Sequence, residues 1–211
     1  LKEANLDTTL YMLRTELSQY HLDLEKQNKL AKEQQQAVIK ELVSIVTQAD
    51  QNSIMLYSQR NGYIFDLTYA CHEATDQFHK FKSKAAPFRG MIQKNNIEVA
   101  RFDSLINYLY NMNTMFLSDE AQLNRNVDLT LAVNIRRQLV EKQAQLNEYV
   151  KAYDRTEQKL KALNDYANHR YEDIQTSIFN NGGDNYLRIL SQLGTNYKEA
   201  KTSVTEKYRP A

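Results

Sequence analysis

SDEAQLNRNVDLTLAVNIRRQLVEKQAQLNEYVKAYDRTEQKLKALNDYANHRYEDIQTSIFNN, residues 118–181, holds neither Gly nor Pro over 64 positions, and Gly182-Gly183 follows it. Its apolar residues step by three and four: Ile135, Leu139, Leu146, Tyr149, Tyr153, Leu160, Leu163, Ala167 and Ile174, with Lys142, Thr156 and Arg170 interrupting. That average of 3.5 residues places one stripe of a helix against partner helices. A continuous helix of this size would be about 95 Å long. The expected fold class is therefore all-α, an elongated antiparallel helical bundle with long coiled-coil-like helices.

Upstream of this stretch the same periodicity recurs. A first helix is expected over about 5–50, capped by Asn5, with the seam Leu6, Leu10, Leu13, Leu17, Tyr20, Leu24, Gln27, Ala31, Gln34, Val38, Leu42, Ile45 and Ala49. Its middle third, Glu25 to Gln36, is polar. Asn52 or Ser53 caps a short element over 53–60, and Asn61-Gly62 ends it. A helix over 63–84 carries the seam Ile64, Leu67, Cys71, Ala74, Phe78 and Phe81. Pro87 opens the next, 87–117, whose seam runs from Phe88 to Phe116. Ser118-Asp119-Glu120 starts the long helix, 118–181, and Gly182-Gly183-Asp184 separates it from a last one, 184–209. Residues 1–211 read as a single elongated domain with no internal repeat.

The totals narrow the classes. Five Gly and two Pro are too few for strands joined by tight turns. Lys and Arg number 27 against 26 Asp and Glu, without long runs of one sign, which argues against nucleic acid as a partner. The longest apolar cluster, Leu42–Val46, falls far short of the ~20 residues a membrane span requires. A lone Cys71 excludes an internal disulfide and any multi-cysteine zinc site.

One polar cluster invites chemistry. Tyr69, His72, Asp76 and His79 fall on one stripe of the third predicted helix. Two imidazoles and a carboxylate are transition-metal ligands in type. But His72 and His79 are two turns apart, about 10 Å along the axis, so the patch reads as hydrogen-bonding side chains beside the core. Asp76-x-x-His79 approximates only one arm of a di-iron carboxylate site. Cys71 and His72 are adjacent, about 100° apart on a helix, and do not face each other as nucleophile and base. Arg136-Arg137 reads as part of a solvated ion-pair network. No nucleophile elbow, Walker loop, zincin helix or dinucleotide fingerprint occurs. No catalytic residue, metal or cofactor is expected, and the chain reads as a non-enzyme.

Three stretches, LDTTLYMLRTELSQYH (6–21), NSIMLYSQRNGYIFDLTYACHEATDQF (52–78) and HRYEDIQTSIFNNGGDNY (169–186), together carry a resemblance. They resemble the N-terminal extracytoplasmic helical domain of Bacteroidetes-type membrane proteins in the small-conductance mechanosensitive channel family. The resemblance implies a sensory or structural domain of a mechanosensitive ion channel on the periplasmic side of the inner membrane. It also implies a cleaved signal peptide and a membrane region downstream. Expected partners are that membrane region, a second copy of the chain or envelope proteins. Two alternatives share the helical architecture: the ligand-sensing periplasmic domain of a histidine kinase or chemoreceptor, and a soluble coiled-coil scaffold that binds partner helices and forms oligomers.

Overall fold

In the computed structural model, residues 2–57 and 64–180 are described, with side chains over 5–57 and 64–176. Four helices make up the fold: α1 (Lys2–Tyr57), α2 (Ile64–Phe81), α3 (Ala86–Tyr110) and α4 (Asp119–Asn180). Among the described residues there is no strand, and the all-α bundle of long helices expected from the periodicity is what forms. Each of the nine apolar seam residues of α4, Ile135 through Ile174, is buried. The stripe thus sets which face of the helix is dry, and each fully buried leucine on it contributes about 1.5–3 kcal/mol.

The boundaries differ from the sequence reading where side chains compete with the backbone. α1 does not stop near Asp50 but continues to Tyr57, with Asn52 and Ser53 half-buried inside the helix. α3 ends at Tyr110, seven residues before Leu117. There the Asn111 amide donates to Asn107 O (3.1 Å) and its side chain to Asn107 Oδ1 (2.7 Å). Asn113 Oδ1 then accepts from Met115 N–H at 3.0 Å. Asparagines that bond locally in this way offer the chain a turn in place of another helical one. Phe116, expected on the seam, is consequently 70% exposed. Ser118 precedes α4 and caps it: its Oγ accepts from Ala121 N–H (3.1 Å) and donates to Asp7 Oδ2 (3.0 Å). The elements expected at Asn61-Gly62, at Gly182-Gly183-Asp184 and over 184–209 lie outside the described residues.

Contacts group the chain into two compact units. Unit 1 comprises Leu1–Ser44 and Ser83–Arg155; unit 2 comprises Ile45–Lys82 and Thr156–Ala211. In unit 1, Asp7 meets Ser118, Arg14 meets Asn124, Asn28 meets Gln138 and Glu41 meets Tyr153, at sequence separations of 111, 110, 110 and 112. A nearly constant separation means that the α1 and α4 segments run parallel. α3 runs against both, since Leu10 packs with Leu109 whereas Leu17 and Leu24 pack with Phe102. Asn95 is buried yet satisfied, donating to Leu139 O (2.7 Å) and Gln143 Oε1 (3.1 Å). Farther along, Phe88 lies between Tyr149 and Tyr153 at 5.5 and 5.3 Å. Glu41 accepts from both Lys84 and the Tyr153 hydroxyl, and the Lys84 bond holds its carboxyl below the ordinary glutamate value.

In unit 2, Lys159 pairs with Asp50 (2.5 Å) and Tyr57 stacks on Tyr166 at 4.2 Å, so the α1 and α4 segments are parallel here as well. Gln77, thirteen residues into α2, donates to Ile45 O (3.0 Å), twelve residues before α1 ends, which makes α2 antiparallel to α1. Among the described residues, the buried apolar side chains of this unit are Ala49, Leu56, Ala70, Cys71, Ala74, Phe81, Leu160, Leu163, Ala167 and Ile174.

Candidate functional site

The stripe of Tyr69, His72, Asp76 and His79 lies on α2, in unit 2, and its members hold separate partners. Asp76 accepts from Lys80 at 2.6 Å, one turn on. The His72 ring sits 5.7 Å from Tyr171, and His79 lies against Phe78 at 5.6 Å. Burial and then the Glu73 carboxylate push the Tyr69 hydroxyl above its ordinary value. Among the described residues no group of three or more His, Cys, Asp or Glu could hold a metal ion. Cys71 is buried and its thiol is pushed up to about 11, so it stays protonated and unreactive near neutrality.

A more connected surface lies on unit 1, where α3 and α4 leave a cleft of about 440 Å³ between them. Ile106 of α3 and Val133 and Val140 of α4 supply its apolar floor. The two valines are seven residues apart, hence on one stripe, and remain 47% and 42% exposed. Charged side chains edge it: Asp103 on α3, paired with Arg136 Nε across the cleft, and Arg137 and Glu141 on α4. An apolar stripe at heptad spacing flanked by charges of both signs is the surface a coiled-coil helix presents to another helix. Residues 133–140 carry this pattern in the sequence, but the continuous seam beside it draws the eye first.

A second cleft, of about 350 Å³, lies between α1 and α3 of the same unit. Tyr20, Asp23, Lys94, Glu98 and Lys142 are among its lining residues. The Tyr20 hydroxyl donates to Glu98 Oε2 (3.1 Å), and burial together with that carboxylate pushes it up to about 12. The acids and lysines here offset one another, and Asn95, which also lines the cleft, has its amide committed to α4.

Unit 1 also contains an ionisable group in its interior. Stepping back from Ile135 along α4 by threes and fours gives Ala132, Asp128, Asn124 and Ala121, and all four are buried. Asp128 is fully buried, and neither carboxyl oxygen has a hydrogen-bond partner. Asn124, one turn before it, accepts from Arg14 Nη1 at 3.1 Å. Burial pushes the Asp128 carboxyl up to about 6, while the nearby Arg14 charge pulls in the opposite direction. The seam extrapolated backward would have found this residue; a carboxylate at a core position reads as an interruption when only apolar types are followed.

Compared with known proteins, the chain matches no family model, no curated protein and no solved structure. That overturns the resemblance to the extracytoplasmic domain of the mechanosensitive channel family. The physical reason lies in what the three stretches contain. Residues 6–21, 52–57 and 64–78 lie in helices whose seams are Leu, Tyr and small residues with Asn and Gln shoulders, and many helical bundles need such a composition. The assignments to a channel, a membrane protein and the periplasmic side of the inner membrane are withdrawn with it, as is the signal peptide that followed from them. The periplasmic sensor alternative rests on the same location and loses its support with it. Among the described residues, no helix is long and apolar enough to cross a membrane.

Proposed function

We propose that the chain is a non-enzymatic coiled-coil-type scaffold that joins a second copy of itself through the α3–α4 cleft of unit 1. The observation that carries this reading is the exposed pair Val133 and Val140 beside Ile106, a second heptad-spaced stripe pointing away from the core. Shape and charge both favour a like partner. An interface between two identical copies about a two-fold axis needs a surface complementary to itself. Arg136 and Arg137 share this rim with Asp103 and Glu141, so an antiparallel copy can set bases opposite acids. A typical interface buries roughly 800 Å² per partner, so flanking residues of α3 and α4 must join the contact.

Replacing both Val133 and Val140 by Glu puts two charges on the floor while leaving the buried seam intact. The double variant should remain as helical as the parent and lose chemical cross-linking between copies. Undiminished cross-linking in a folded variant would exclude the cleft as the joining surface.

A further inference from the structure

We propose that Asp128 is a proton-operated latch on the α1–α4 seam of unit 1: protonated, it stays in the core with Arg14 on Asn124, and ionised, its buried charge, which Arg14 can offset only by leaving Asn124, destabilises the closed seam. Asp128 occupies a core position between two apolar clusters, one containing Leu10, Leu109 and Ala121 and the other Leu17, Phe102 and Ala132. A neutral acid can remain there at the cost of an unmade hydrogen bond. A carboxylate deprived of water and of partners cannot remain without a cation.

The charges around it leave one candidate. From α1 the acting group is Arg14, whose guanidinium already touches Asn124, one turn from Asp128 on the same face of α4. α3 supplies Leu105 and Leu109 to the clusters on either side, and its charged residues Arg101 and Asp103 are paired with Glu98 and Arg136. On α4 itself, Arg125 donates to Leu109 O (2.8 Å) and Tyr110 O (3.0 Å). His21 of α1 faces Glu25 through Nε2 at 3.4 Å, and its Nδ1 is buried without a partner. Arg14 is therefore the cation that must serve either Asn124 or the ionised Asp128. The carboxyl pushed up to about 6 places the exchange near neutrality. None of this depends on what binds the α3–α4 cleft.

The test follows the carboxyl and the seam together in the whole chain. A ¹³C-detected titration should show the Asp128 carboxyl changing near pH 6, and a value near 4 would overturn the proposal. Urea unfolding of the parent should show an Asp128 component in which the unfolding constant rises about 50-fold between pH 4 and 7, the linkage expected of a shift from 3.8 to about 6. Asp128→Asn, of the same shape, should lose that component. An equal pH dependence in Asp128→Asn would contradict the latch. In Arg14→Met the carboxyl should titrate higher still; an unchanged value would remove Arg14 from the account and with it the proposed exchange.

Discussion

Unit 1 buries an aspartate and unit 2 a cysteine, and both are kept from water: Asp128 is fully buried and Cys71 is 4% exposed. Desolvation raises both, because it penalises the charged form of any acid. For Asp128 the rise, from 3.8 to about 6, brings titration into the range where cells work. For Cys71 the rise, from 9.0 to about 11, takes it out. The same burial thus brings the titration of Asp128 toward neutrality and moves that of Cys71 away from it. The cores differ in kind as well. Among the described residues, Ala and Cys make up half of the ten buried apolar residues of unit 2, against three Ala of fifteen in unit 1, where Leu, Ile, Phe and Tyr dominate. Small residues let helix backbones approach closely; large ones fill a wider gap.

That contrast predicts opposite sensitivities to side-chain volume. Ile135→Ala in unit 1 removes a fully buried side chain and should cost about 3 kcal/mol, read from the urea midpoint. A loss below about 1 kcal/mol would mean that the unit 1 core is looser than its burial implies. The pH effect comes next. Because the folded-state pKa of Asp128 lies above its unfolded value, the unfolded chain releases its proton first as pH rises. The Asp128 contribution to stability is then greatest below about pH 4, falls between about 4 and 6, and stays lower above, by up to about 3 kcal/mol. Thiol modification of Cys71 should stay slow over the same range in folded protein.

In unit 2 enlargement is the damaging change. Ala167→Leu, at a fully buried alanine, should cost about 1–3 kcal/mol by overpacking. If it is neutral, the close approach of helices in that unit is absent and the comparison of cores collapses. The smallest expected effect is favourable. Gly90 sits in exposed α3 with nothing within 4 Å of an added Cβ, so Gly90→Ala should stabilise unit 1 by roughly 0.5–1 kcal/mol.

Periodicity carried most of the fold. A stripe such as Leu10, Leu17, Leu24 and Val38, or Leu146 through Ile174, leaves a helix one face to bury, and every residue named there is buried. Helix ends were less legible, since α1 passes through Asn52 and Ser53 while the asparagines at 107, 111 and 113 stop α3 early. Tertiary packing decides the first case and local hydrogen bonding the second, and residue type alone does not tell them apart. A turn can even be taken by an unfavoured residue: Ser83, between α2 and α3, has φ 71°, a region that favours glycine. The site was the least legible. His72, Asp76 and His79 attract notice as reactive types, yet Asp76 is held by Lys80. Asp128 escapes notice because its meaning lies in the absence of partners, which only the packed structure reveals. The cleft at Val133 and Val140 is a pattern in the sequence, but its exposure depends on where α3 lies.

The functional claim, that two copies join through this outer stripe, is tested most directly by sedimentation equilibrium of the unmodified chain. The account predicts a mass rising with concentration from 24.7 kDa toward twice that value. A mass that stays at 24.7 kDa up to about 100 μM, where any contact of useful strength should form, would contradict it.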